Sequence, residues 1–114
     1  MLSEASTKAL HDIAYHIDLA EEFARGLDRA AFSSDLKTVY AVTRCLEIIS
    51  EASRRLESQI KARHATIAWG AMAAAGNIYR HDYEDVSAGR VWGVLKTDLA
   101  PLRIAVDAEL ASER

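Results

Sequence analysis

The stretch Ser34-Asp-Leu-Lys-Thr-Val-Tyr-Ala-Val-Thr-Arg-Cys-Leu-Glu-Ile-Ile-Ser-Glu-Ala-Ser-Arg-Arg-Leu56 decides the fold. Its apolar residues fall at Leu36, Val39, Val42, Leu46, Ile49, Ala52 and Leu56, and these steps of three and four draw one stripe along a helix. A strand would alternate with period two, and nothing here does. Upstream, Leu10, Ile13, Ala14, Ile17, Ala20 and Ala24 repeat the same spacing behind Ser3, a good N-cap, and Gly26 ends that helix. Leu27 to Ser33 then reads as a connecting turn, with the second helix running from Ser34 to Leu56.

Downstream the polarity rises from Glu57 to His64, which reads as a linker with His64 exposed. Thr66-Ile67-Ala68-Trp69 opens a third helix that runs to about His81, and its Ala71 to Ala75 centre predicts close packing against a neighbour. The acidic run Asp82-Tyr83-Glu84-Asp85 leaves that helix. Asp85 or Ser87 caps a fourth carrying Val91, Val94, Leu95 and Leu99. Asp98 and Pro101 predict a break and restart, because proline is excluded from helix interiors, and a fifth segment ends near Leu110. The expected fold is all-α: a single domain over residues 1–114, an up-and-down antiparallel bundle of four main helices plus a short C-terminal helix.

Composition agrees. Half of the 114 residues are apolar and 27% are charged, with one proline and five glycines, which suits a packed helical domain and excludes disordered or collagen-like chains. A net charge of −3 gives no global attraction to nucleic acid or anionic lipid, so any RNA contact must be local. The longest apolar stretch, Ile67 to Ala75, is too short to cross a bilayer, and Met1-Leu2-Ser3-Glu4 lacks signal-peptide character. The expectation is a soluble cytoplasmic protein with no membrane partner. Cys45 is the single cysteine, so no intrachain disulfide or thiolate metal site is available.

Four histidines invite a search for acid-base or metal chemistry. His11 and His16 lie on different sides of a helix, whereas Asp12 and His16, four apart, predict a solvated pair. No His-x-x-x-His or Cys-x-x-Cys spacing occurs, and the expectation is no metal and no cofactor. Gly76-Asn-Ile-Tyr-Arg-His-Asp-Tyr83 is denser: it gathers an imidazole, a cation, an amide and phenols, and places Asn77 and His81 on one helical face. Read by composition, this is either a reactive constellation or a helix end whose Arg80 and His81 complement the macrodipole while Tyr83 packs back. Arg44, Glu47 and Glu51 form a charge ladder of the kind usual on solvated faces. Phe23, Phe32, Trp69 and Trp92 read as core or interface anchors.

The run Val39 to Leu56, followed by Ile67-Ala68-Trp69, by Asn77-x-x-x-His81-Asp82-Tyr83 and by the helix from Val91-Trp92 to Asp98-Leu99, resembles the HepT family of HEPN-domain toxins over nearly the whole chain. The family motif is Arg, four residues, His, one residue, Tyr, with Asn directly after the Arg. Here Asn77, His81 and Tyr83 hold their places and Gly76 stands at the Arg place. The resemblance implies a metal-independent endoribonuclease acting as a homodimer on RNA such as tRNA or mRNA. It also implies a small nucleotidyltransferase antitoxin that attaches AMP to Tyr83. Within it, His81 moves protons, Asn77 orients and Arg44 stands beside the active cleft, while helix geometry, not the resemblance, puts Arg80 within about 40° of position 76 as a further candidate for phosphate contact. Gly76 removes the cation and predicts little or no cleavage, and the competing class is a catalytically silent dimeric binding module that keeps the partner surface.

Overall fold

The computed structural model describes residues 1–81 and 88–113, with positions 80 and 81 described for the backbone alone. Among the described residues all regular structure is helical. Helix α1 (Glu4–Phe23) is capped by Ser3, whose Oγ accepts the Ser6 N–H at 3.0 Å. The chain leaves it through Gly26, whose φ of 80° only glycine adopts readily. Long helix α3 (Leu36–Arg54) starts from Asp35, which accepts the Thr38 N–H at 3.4 Å and its hydroxyl at 2.8 Å. The stripe that defines it buries Val39, Val42, Leu46, Ile49 and Ala52. These meet Leu10, Ile13 and Ile17 of α1 in one core.

The turn expected over Leu27–Ser33 is instead largely a short helix, α2 (Arg29–Ser34), capped by Asp28 and burying Phe32 completely. The expected polar linker is likewise helical: α4 (Ser58–Arg63) turns Ile60 into the core. Six residues are too few to show an apolar period, so both escape a reading by pattern.

Helix α5 (Trp69–His81) follows the expected bounds. The expected break at Asp98 and Pro101 is absent. Helix α6 (Ala88–Gly93), a π-helical turn (Val94–Asp98) and α7 (Leu99–Ala111) follow one another directly, and the Leu99 N–H bonds Val94 O five residues back. The wide turn takes up the strain that proline brings, and Pro101 lies in the first turn of α7, where its missing N–H costs little. The fifth segment is therefore a 13-residue helix packed on α1 through Leu99, Leu102 and Val106. The expected caps Asp85 and Ser87 lie outside the described residues.

Candidate functional site

The residues singled out in the sequence sit on α5, and α3 sets its position. Ser50 Oγ donates to the Ala73 carbonyl at 3.2 Å and Arg54 Nη2 donates to the same oxygen at 2.6 Å. Leu46 of α3 and Tyr79 of α5 line one cavity, so the helices run antiparallel. With about 1.5 Å of rise per residue, Glu47 stands level with Gly76, and Arg44 stands level with the last turn of α5.

Gly76 is buried and Asn77 is exposed, so the motif straddles the edge where α5 meets solvent. Its helical backbone reaches His81, which keeps Asn77 and His81 on one face, four residues apart. Position 80 stands one turn beyond position 76 on the same helix. Tyr83 lies outside the described residues, as do Asp82, Glu84 and Asp85. Arg44 is two-thirds exposed and pairs with Glu47, whose side chain is 18% exposed. The ladder, expected on a solvated face, is exposed at Arg44 and Glu51 while Glu47 is largely covered, on the helix that packs against the motif helix.

Tyr79 belongs to the same run of eight residues yet points elsewhere. It is 9% exposed, and burial pushes its phenol pKa up, with a smaller lowering influence from Arg90 and a smaller raising one from Asp98. Its phenol faces a cavity of about 420 Å³ bounded by α5, the 66–68 segment, α3 and the last helix. The alanines that predicted close packing, Ala71 and Ala75, line this space. A row of small residues reads alike in sequence whether a neighbour fills the space beside it or not.

His64 is not exposed. Its Nε2 lies 2.7 Å from Glu109 Oε2, and Arg63 grips the same carboxylate through Nε at 3.1 Å and Nη2 at 2.6 Å. Trp69 Nε1 donates to the His64 carbonyl at 3.0 Å, tying the start of α5 to this clip. The Arg63 hydrogen bonds lower the Glu109 pKa to about 2 against the cost of burial, with His64 adding to the effect. The expected His16–Asp12 pair is also redrawn: His16 Nδ1 donates to the Asp12 carbonyl at 2.7 Å. The Asp12 carboxylate takes Lys8 at 3.2 Å and Arg55 at 3.1 Å instead. Of the aromatic anchors, Phe32 meets Trp92 at 5.2 Å between ring centres, Trp69 is half-buried and Phe23 is exposed. Among the described residues no cluster of His, Cys, Asp or Glu is arranged to hold a metal, and no helix is long and apolar enough to cross a membrane.

The family model described as ribonuclease HepT-like matches residues 13–109. A Thermococcus cleftensis protein named as a probable ribonuclease HepT is 39% identical over 94 residues, 82% of this chain and 86% of its own. A Methanocaldococcus jannaschii protein named as a putative RNase is 30% identical over 107 residues, 93% of this chain and 98% of its own. No solved structure matches the chain significantly.

Proposed function

We propose, from the premise that this chain belongs to the HepT-like ribonuclease family, that it is the toxin member of a pair with a small nucleotidyltransferase and has lost most of its cleavage power at Gly76. The observation carrying this reading is the buried glycine one residue before exposed Asn77, on a helix that continues to His81. In cleavage, the ribose 2′-oxygen attacks the adjacent phosphorus and the bond to the 5′-oxygen breaks. A cyclic phosphate and a 5′-hydroxyl result. One proton leaves the 2′-oxygen and one reaches the departing 5′-oxygen, and His81 is the group on α5 suited to that transfer near neutral pH. Asn77 orients the imidazole or a phosphate oxygen. The phosphorane carries extra negative charge, and at position 76 there is no side chain to meet it. Arg44 and Arg80 are the nearest cations by register, and their role is to hold substrate phosphate.

One His81 per chain makes a sparse site, and a symmetric homodimer brings two together. Sedimentation at micromolar concentration should give the dimer mass; a lone 12.6 kDa species overturns that step. The regulatory position is Tyr83, where added AMP brings phosphate charge and bulk into the path of an RNA phosphate. Intact-mass spectrometry after incubation with the partner, Mg²⁺ and ATP should show AMP mass on the chain and none on Tyr83→Phe.

Gly76 also favours a second reading, a silent dimeric module that keeps only the partner surface. Cleavage of total RNA separates the two. Gly76→Arg should cut, and its His81→Ala derivative should not. A stable, dimeric Gly76→Arg that leaves total RNA and tRNA intact rejects the nuclease reading for this chain.

A further inference from the structure

A chain of net charge −3 attracts RNA only where its cations are segregated from its carboxylates, and the seam between α2 and α6 is such a place. Residues 29–34 and 88–97 carry Arg29, Arg90 and Lys96 and not one carboxylate. The two helices point the same way. A Cβ added at Gly89 would lie 2.7 Å from Arg29 Nη2, and one turn on the Phe32 ring meets the Trp92 ring at 5.2 Å between centres. One turn further, Lys96 folds back and sets its Nζ 4.7 Å from the centre of the Trp92 ring. Arg29 is exposed, and among the described residues it has no carboxylate partner: Asp28 beside it is turned to cap α2, accepting the Ala31 N–H at 2.8 Å. Gly89 is the notch that admits the guanidinium, since any side chain there would displace it. Lys96 is exposed and braced on the indole, so its ammonium is held in place while its outer side stays open.

We propose that the seam between α2 and α6 holds the backbone of single-stranded RNA, with Arg29 and Lys96 each meeting a phosphate. The identity of the anion rests on the ribonuclease reading. Position 89, where the guanidinium lies, and position 96, where the lysine is rooted, are about 10 Å apart along the seam. A line of cations suits successive phosphates of one strand. The guanidinium offers a fork to two phosphate oxygens and the ammonium a point charge, and neither reads a base. The seam is also within reach of the motif. Helix α3 packs against both α5 and α6, and the seven-residue step from His81 to Ala88 spans at most about 25 Å. At about 3.4 Å or more per nucleotide, roughly eight nucleotides cover that distance.

The test is fluorescence anisotropy of the full chain with a labelled single-stranded RNA of about 12 nucleotides, at salt from about 50 to 200 mM. Arg29→Gln and Lys96→Gln should each weaken binding about threefold at the low-salt end and lower the salt slope by about 0.7, the share of one phosphate contact on a single strand. Gly89→Ala removes no charge and improves helix propensity, yet it should weaken binding as Arg29→Gln does, because the new methyl takes the place of the guanidinium. The fold survives this change, since the group that must give is the free end of a side chain. Added to Arg29→Gln it should cost nothing more, as both act through one guanidinium. Lys8→Gln, which removes one charge from α1, should change the affinity by less than about twofold. Equal losses from Lys8→Gln and Lys96→Gln would assign the binding to overall charge and overturn the proposal, as would unchanged binding by Gly89→Ala or no binding of the RNA. Cleavage is read apart from this, in Gly76→Arg. If Gly76→Arg is inert while Gly89→Ala loses RNA, the seam stands and the nuclease reading falls. If Gly76→Arg cuts while Gly89→Ala binds as before, the reverse holds.

Discussion

The two sides of α5 are held in opposite ways. Towards α3 the contact is direct and polar, with Ser50 and Arg54 both donating to the Ala73 carbonyl. Towards the last helix α5 meets a cavity, and the elements around that space are pinned from its end by Glu109, Arg63, His64 and Trp69. Positions 77 and 81 share one face of α5, and Tyr79, about 160° around the helix from Asn77, lies on the cavity side. One helix thus offers two unlike surfaces: a face that fixes the phase of positions 77 and 81, and a face that borders open volume.

Changing position 76 has the largest expected effect. A single transition-state charge contact is worth about 100- to 1000-fold in rate, so Gly76→Arg should raise RNA cleavage by that order, and His81→Ala in the same chain should remove the gain. Helix propensity favours the change by about 0.5 to 1 kcal/mol, while the burial of Gly76 sets crowding against it. Thermal unfolding should therefore shift little. If the rate rises without His81, the motif side of α5 is not the seat of the chemistry.

The next effect lies at the clip. Glu109 is 7% exposed and its folded pKa of about 2 lies below the unfolded value of 4.5. A depressed carboxylate stabilises fully above its unfolded pKa, and that contribution is lost as pH falls through 4.5 towards 2. Arg63 is half-exposed, and solvent screening brings the contribution to about 2 kcal/mol. Chemical denaturation from pH 6 downward should show the chain losing this stability in the acid window. Glu109→Gln should start lower and change less across it, and parallel curves would show that the clip does not hold the cavity side.

Much of this organisation was open to a reading of the sequence, and the exceptions have physical causes. The stripe from Leu36 to Leu56 predicts α3, because a long amphipathic helix repeats its signal many times. The family resemblance singles out Gly76, Asn77 and His81, and spacing by itself puts Asn77 and His81 on one helical face, since residues on one helix need no tertiary knowledge to be placed. Pro101 gives a true signal with a wrong outcome, because a π turn and a break answer the same steric demand. His64 and Glu109 meet across 45 residues, and neither carries a local mark of its partner. Arg54 is illegible for another reason: its acceptor is a main-chain carbonyl, which every residue possesses.

Arg54 and Ser50 carry the third prediction. Removing either leaves the Ala73 carbonyl one side-chain donor, so Ser50→Ala and Arg54→Ala should each cost about 1 kcal/mol or less. The double change should cost more than the sum, since only then are both donors lost. Additive losses in urea denaturation would mean that the two bonds act separately.

The smallest effect is expected on the open side. Ala75 lines the cavity and is half-buried, so Ala75→Leu projects apolar atoms into space that is only partly enclosed. Burial of each added methylene is worth about 0.8 kcal/mol when complete, and partial burial, rotamer entropy and adjustment of Met72 reduce the total. A gain of a few tenths to about 1 kcal/mol is expected. In a tightly packed seam the same enlargement costs about 1 to 3 kcal/mol. The sign of the change therefore measures directly whether this side of α5 is open. A loss of that size would mean that the helices close over the cavity in solution, and the contrast between the two sides of α5 would disappear with it.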